Sequence, residues 1–381
     1  MDLMKTRRAD LAVVGAGIVG LSHALAAARR GLKVVVFERT EPAVGASVRH
    51  FGLVWPIGQP EGRRHDRALR SREVWGEVTQ AAGLYCAATG SLHLAYADDE
   101  WAVLEEFSEC GMGRSEQRRL LSREETLARS GAVNPVSLKG ALWSPTEATI
   151  DPVQAIRALP GWLAETHGVQ FEFNTTVRTI DLPAVETTRG TWSVDRVVVC
   201  SGGDFETLYP EIFAKHAITR CKLQMMRTDP QPDRWLLGPA LCAGLTLTHH
   251  ESFKRCATLA LLEKRVEREQ AFLFGHGIHV LLSQNAPGAL TIGDSHHYGL
   301  TVEPFDREDI NEAILTYLRT FAVVPTLAVA ERWHGVYPKM KDGRSELIAE
   351  VAPSVWVVNG LGGAGMTLSF GLAEEVVAGF I

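Results

Sequence analysis

The chain has 381 residues, 46% of them hydrophobic and 22% charged, and a formal net charge of -6, the balance of an ordinary globular protein. That charge gives no basic footprint for nucleic acid, and the sequence holds no run of about 18 apolar residues that would cross a membrane. The basic N-terminal stretch with Lys5, Arg7 and Arg8 meets glycines too early for a signal peptide and lacks a small-residue cleavage site, so a cytoplasmic location is expected. Cys86, Cys110, Cys200, Cys221, Cys242 and Cys256 are scattered without a C-x-x-C pair. They are expected to be reduced and packed, and no metal is expected, because no ligand spacing is met.

Asp10–Val14 reads as a short buried strand that runs into Gly15-Ala16-Gly17-Ile18-Val19-Gly20, and Leu21–Arg30, rich in alanine and leucine, reads as a helix with Gly31 at its end. Leu32–Phe37 is a second, β-branched strand, closed by Glu38 and Arg39. A G-x-G-x-x-G alone is a weak signal. Here a strand precedes it, a helix follows it, and an acid stands at the end of the next strand, the full context of a dinucleotide site. Gly15 permits the turn, Gly17 admits a pyrophosphate, and Gly20 lets the helix approach the strand, so that its N-terminal N–H groups face the phosphates. Glu38 would accept from a ribose diol and repel a 2′-phosphate, which favours FAD or NAD over NADP.

The next stretch decides between those two. In place of further strand–helix repeats come Gly45-Ala46-Ser47-Val48-Arg49-His50-Phe51-Gly52-Leu53-Val54-Trp55-Pro56-Ile57-Gly58 and then an amphipathic helix over Asp66–Ala82. A glycine-bearing segment returning across the sheet edge suits a flavin ring. Asp195–Cys200 is a strand ending at Ser201-Gly202-Gly203, while Cys221–Arg227, Ile278–Ser283 and Ala289–Ile292 are further strands. Thr301–Tyr317 begins with a turn at Pro304 and continues as an acidic helix. Ser354–Asn359 is a strand followed by Gly360-Leu361-Gly362-Gly363-Ala364-Gly365-Met366-Thr367 and a helix through Ala378. Backbone donors of that last turn would stabilise negative charge on a reduced flavin. The three strand-to-glycine turns are expected to meet at one sheet edge, around one cofactor.

These motifs resemble the D-amino-acid-oxidase-like FAD family, which includes glycine oxidase and monomeric sarcosine oxidase, and the resemblance spans essentially the whole chain. The segments GASVRHFGLVWPIGQP, WSPTEATIDP, CKLQMMRT, GLTLTHHESF, GDSHHYG and ERWHGVYPK are further similar to a branch of it linked to aminophosphonate catabolism, in which asparagine is usual at the position of His50. The resemblance implies an α/β (α+β) fold: a Rossmann-type FAD-binding domain over 1–85, 146–214 and 331–381, interleaved with a substrate domain over 86–145 and 215–330 built on a large, mostly antiparallel sheet. The implied FAD contacts are Gly15, Ala16, Gly17, Ile18, Val19, Gly20, Glu38, Arg39, Ser47, Arg49, His50, Val177, Ser201, Gly202, Gly335, Gly362, Gly363, Gly365, Met366 and Thr367. The histidine that carries a covalent flavin in dimethylglycine dehydrogenase-like relatives falls on Arg49, and the flavin-linking cysteine of the sarcosine oxidase pattern falls on Gly335. Non-covalent FAD is therefore expected.

The chemistry implied is oxidation of a carbon–nitrogen bond by hydride transfer to flavin N5 and hydrolysis of the imine, with O2 or another acceptor taking the electrons. Glycine and D-amino-acid oxidases hold a substrate carboxylate with an arginine in a G-L-R-P pattern. Here Gly335-Val336-Tyr337-Pro338 puts Tyr337 in that place, which argues against a simple α-amino acid. An aminophosphonate such as 2-aminoethylphosphonate or its N-methyl form is the expected substrate, with a glycine- or sarcosine-type amino acid or a 2-hydroxy acid as alternatives. The expected catalytic residues are His50, Tyr337, Tyr298, His249 and His296. Arg49, Trp55, His250 and Lys339 are expected to bind the substrate, since a phosphonate favours several donors around its oxygens. His249-His250 and His296-His297 fall on segments read as strands, so one of each pair at most is expected to face the pocket.

Overall fold

The computed structural model describes residues 7–110 and 118–380; Lys5 lies outside them. The strand Arg7–Val14 sits inside an eight-stranded sheet because its second half is apolar on both faces, as a strand covered on both sides must be. It pairs in parallel with Val34–Phe37 on one side and with Gly190–Val199 on the other, and the latter pairs in parallel with Val355–Asn359. Val14 and Val199 therefore end side by side, with Val357 beside Val199 and Asn359 two residues further on, and the three glycine-rich turns after these strands come together as expected.

The helix Ile18–Ala28 packs on this sheet and against the helix Gly365–Ala378. Its close approach depends on Gly20, where a Cβ would lie 1.9 Å from the Gly15 carbonyl oxygen. Gly15 itself adopts φ +103°, a left-handed conformation that L side chains resist. The helix Arg63–Ala82 covers Gly365–Ala378 from outside, and its buried Trp75 donates from Nε1 to the Met366 carbonyl at 2.8 Å. That bond fixes the start of the C-terminal helix.

A second sheet of nine strands is built on the long strand Ile218–Pro230. It runs antiparallel to Val329–Met340, Ala289–Gly293 and His297–Gly299, while Ser91–Ala95 pairs in parallel with Ala240–Cys242. Residue 331 lies inside the strand Val329–Met340, so membership of the second sheet continues to Met340. A small third sheet joins Leu53–Val54 of the glycine-bearing segment to Ala148–Ile150 and Cys86–Ala87. The fold is α/β, with a Rossmann-type sheet beside a large, mostly antiparallel one.

Several elements differ from the sequence reading. His249 ends a short helix, Gly244–His249, instead of standing on a strand. The Thr-Leu alternation there reads as a strand, yet Gly244 lies against Glu100, where a Cβ would meet its Oε1 at 2.1 Å, and the Leu245 N–H donates to the Tyr317 hydroxyl at 3.0 Å. Tertiary contacts override the local period. The strand expected from Ile278 begins at Leu281, and the acidic helix spans Glu308–Phe321. All six cysteines are free thiols, four of them buried. Among the described residues no helix is long and apolar enough to cross a membrane.

Candidate active site

Two cavities meet where the two sheets face each other. The first, of about 690 Å³, is lined by the three glycine turns. Gly15, Gly17, Ile18, Val19, Glu38, Arg39, Ser47, Arg49, His50, Val177, Ser201, Gly202, Gly362, Gly363, Gly365 and Met366 all line it. Ala16, Gly20 and Gly335 stand behind the wall: Ala16 and Gly20 shape the first turn, and Gly335 packs on Leu223 and the Arg49 carbonyl. Thr367 lines the second cavity and accepts the Trp55 backbone N–H at 2.9 Å.

The donor set of the first cavity fits FAD. Helices Ile18–Ala28 and Gly365–Ala378 both start without a side-chain cap, and their first residues line the cavity, so positive dipole ends and N–H groups face it. Ser47 Oγ accepts from the Ile18 N–H at 2.9 Å and ties the returning segment to the first helix. The buried Glu38 carboxylate accepts from the Ala16 N–H at 2.9 Å and from the Thr40 N–H and hydroxyl at 3.0 and 2.9 Å. Arg39 forms an ion pair with Asp204 at 2.7 Å. A cofactor with a diol near Glu38, a diphosphate at the first helix and a ring near Gly362–Met366 matches these chemistries.

The second cavity, of about 370 Å³, shares His50, Tyr337, Gly360–Gly363 and Met366 with the first. His50 stacks on Tyr337 with ring centroids 5.4 Å apart and stands at the junction. Burial holds its pKa down to about 4, so the imidazole is neutral near neutral pH. Trp55, His249, His250, His279, Asp294, His296 and Lys339 line the inner part, and Arg64, Glu251, Lys254, Lys341 and Arg344 lie further along the wall. Arg64 pairs with Glu251 at 2.7 Å and Arg344 with Asp342 at 2.7 Å, leaving Lys254, Lys339 and Lys341 as three more cations on a chain that is acidic overall.

Lys339 is placed by an isolated bridge to Leu361 and donates to the Tyr298 hydroxyl at 3.2 Å. Tyr298 is itself exposed and lines neither cavity; it faces Cys221 across the sheet, as Tyr337 does. His249 and His250 both line the cavity, because a helix end turns them together, whereas of the second pair only His296 does. Arg49 points its guanidinium to the His334 carbonyl at 3.3 Å, on the side of the first cavity.

His279 and Asp294 escaped the sequence reading. Their backbones pair reciprocally, His279 N–H to Asp294 O at 3.2 Å and Asp294 N–H to His279 O at 2.9 Å, which sets both side chains inward. The signal was partial: His279 stands inside the apolar run that follows Gly277, and Asp294 directly follows the apolar strand Ala289–Gly293. His249, His279 and His296 bring nitrogens within 4.8 Å of one another, a cluster that chain spacing did not suggest. Burial and the neighbouring imidazoles push His249 and His279 well down, burial with Lys339, His50 and His297 pushes His296 down to about 3, and burial pushes the Asp294 carboxyl well up.

These buried rings set an acid sensitivity. Burial also lowers His23 and His250 to about 4 and His93 to about 3. A histidine lowered in the fold binds fewer protons folded than unfolded, so its contribution is full above its unfolded pKa of about 6.5 and is lost as pH falls toward 4, by up to roughly 3 kcal/mol per ring. The buried carboxyls of Glu147 and Asp294, both raised, act in the opposite sense, but the histidines outnumber them. Thermal denaturation across this window is expected to show a midpoint that falls steeply below about pH 6. A flat profile would mean the rings are solvated.

Residues 10–378 match the family described as FAD dependent oxidoreductase, DAO. The chain is 27% identical over 258 residues to a subunit of the opine oxidase of Rhizobium meliloti, covering 62% of this chain and 67% of that one. It is 26% identical over 200 residues to monomeric sarcosine oxidase of Bacillus sp. (strain B-0618), about half of each. The solved glycine oxidase of Geobacillus kaustophilus superposes with a TM-score of 0.75 at 19% identity, covering 98% of this chain and 94% of that one, and so shares the fold. With the family spanning nearly the whole chain and the cofactor's donor set in place, the protein belongs to the DAO family of FAD-dependent oxidoreductases.

Proposed function

We propose that the protein oxidises the carbon–nitrogen bond of a small amine bearing a phosphonate, such as 2-aminoethylphosphonate or its N-methyl derivative. The observation that carries this reading is the donor set of the second cavity: cations and imidazoles converge beside Tyr337, while the two arginines that line it, Arg64 and Arg344, are already paired with Glu251 and Asp342. The opine oxidase subunit and monomeric sarcosine oxidase bear names of amine oxidation, which favours an amine as the reacting group.

Bound FAD supplies the electron sink. The chain's residues orient and dry the amine. Lys339 and the histidines draw the anionic end inward, and this places the nitrogen toward the His50–Tyr337 pair at the junction of the cavities. The neutral His50 imidazole can hold the proton released when the ammonium becomes the reactive amine. The amine then loses two electrons and its α-hydrogen, and water hydrolyses the imine to phosphonoacetaldehyde and ammonia or methylamine, while O2 or another acceptor reoxidises the protein.

Product analysis in air tests this. The FAD-loaded protein, incubated with aminophosphonates, glycine, sarcosine and a 2-hydroxy acid, should yield phosphonoacetaldehyde from the first group at the highest rate. Peroxide formed in equal amount assigns an oxidase, and its absence with an added carrier required assigns a dehydrogenase. Turnover confined to the amino acids would sink the phosphonate reading, and turnover confined to the hydroxy acid would sink the amine reading too.

A further inference from the structure

We propose that His249, His279 and His296 form a receptor that grips a doubly charged tetrahedral oxyanion by taking up protons from solvent as the anion arrives. The inference rests on the reading above in identifying that anion with the substrate's phosphonate, but the receptor itself is argued from geometry.

The three rings come from separate elements and are pressed together at the inner end of the second cavity. His249 and His279 stack with centroids 3.8 Å apart and planes 21° apart, and His296 lies 4.3 Å from His249 and 5.1 Å from His279. The nitrogens of two of them have defined surroundings. His296 donates from Nδ1 to the Gly277 carbonyl at 2.9 Å, so its Nε2 carries a lone pair in the neutral ring, 3.8 Å from Asp294 Oδ2. His279 Nε2 lies 3.3 Å from Asp294 Oδ1, and its Nδ1 is buried with no partner among the described residues. A neutral cluster of this kind leaves the buried His279 Nδ1 unpaired, and leaving it so is costly.

Two ligands would satisfy such nitrogens, a metal cation or protons held under an anion, and three observations decide. Lys339 lowers the proton affinity of all three rings, so the local field is already positive and opposes a dication. The one carboxyl within reach among the described residues, Asp294, is held toward its neutral form by burial and supplies little negative charge. Ring stacking is the third. Imidazoles that share a zinc ion point at a common centre about 2.0–2.1 Å from each nitrogen, whereas rings whose planes lie 15°, 21° and 35° apart present their N–H groups side by side to oxygens spread over a tetrahedral face.

Other charged groups around the cluster act in the same direction or are remote from it. His250 and His50 abut it as neutral rings, Tyr298 and Tyr337 face His296 with centroids 6.3 and 6.5 Å away, and both phenols, like the Cys221 thiol, are pushed up and stay protonated. Glu251 is paired with Arg64, and Lys254 lies beside it on the cavity wall. An entering dianion therefore meets cations and latent donors, and its charge raises the rings' proton affinity until at least one of them ionises.

Sulfate is the probe, because its charge is fixed near neutral pH and any linked proton belongs to the protein. Calorimetric titration of sulfate into the FAD-loaded protein, in buffers of different ionisation enthalpy near neutral pH, should show uptake of about one proton per sulfate, with affinity falling about tenfold per pH unit above neutrality. His249→Asn and His296→Asn, each retaining flavin, should weaken sulfate by about tenfold or more and reduce the uptake, while His167→Asn, at the end of the helix Pro152–His167 and lining neither cavity, should leave both unchanged. No sulfate binding, binding without proton uptake in the wild-type protein, or unchanged binding in both variants would overturn the proposal. So would a stoichiometric transition metal in the wild-type protein that the variants lose. If sulfate binds with proton uptake but aminophosphonates are not oxidised, the receptor stands and the substrate reading fails. If aminophosphonates are oxidised and no proton is taken up, the substrate reading stands and the receptor fails.

Discussion

Gly20→Val is expected to purify without flavin and to bind added FAD at least about 100-fold more weakly than the wild-type protein. A Cβ at this position would stand 1.9 Å from the Gly15 carbonyl oxygen, and the obstacle is backbone that no side-chain rotation can relieve. The helix Ile18–Ala28 would have to move off the strand Arg7–Val14, carrying its uncapped N–H groups away from the cavity and straining the Ile18–Ser47 and Ala16–Glu38 bonds that hold the wall. Overpacking of this kind costs about 3 kcal/mol or more, and each 1.4 kcal/mol is about tenfold in affinity. Fluorescence titration with FAD measures the affinity, and circular dichroism separates lost binding from lost folding. Wild-type affinity in the variant would mean the first glycine turn does not carry the cofactor.

Lys339→Met should raise the KM for a phosphonate-bearing amine by about 30- to 100-fold while changing kcat by less than about threefold. Lys339 lines the second cavity, half-buried, bonded to the Tyr298 hydroxyl, and methionine keeps the stem while removing the charge. A desolvated cation opposite an anion contributes about 2–5 kcal/mol to binding when its partner is truncated, and the loss falls on the ground state and the transition state alike, which moves KM and spares kcat. The same substitution should leave turnover of an uncharged amine unaffected. An equal loss with charged and uncharged amines would show that Lys339 shapes the cavity and does not read the anion.

The cofactor side of the molecule was legible because its signals are local. Each of the three patches, Val14 to Gly20, Val199 to Gly202 and Asn359 to Gly365, is the end of a strand running into a glycine turn, and the parallel pairing that joins them is the usual consequence of such units. Glu38 could be placed by counting from Gly20. The substrate side was legible in composition alone. His249, His279 and His296 are spread over a helix end, a strand edge and a turn, so only the folded chain reveals that they touch. The Thr-Leu alternation before His249 suggested a strand, and contacts with Glu100 and Tyr317 made a helix of it, which is why both His249 and His250 reach the cavity. Asp294 was hidden in a glycine-flanked run whose polar character became informative only once its burial was known.

Mixing the FAD-loaded protein with N-methyl-2-aminoethylphosphonate in the absence of oxygen, and following the flavin absorbance through a single turnover, tests the central claim most directly. The absorbance should bleach at a rate that saturates with the phosphonate amine, with a ratio of rate constant to apparent Kd at least about 100-fold above that for sarcosine, the margin expected from a desolvated charge pair. Bleaching by sarcosine or a 2-hydroxy acid with the larger ratio, and none by any aminophosphonate, would contradict it.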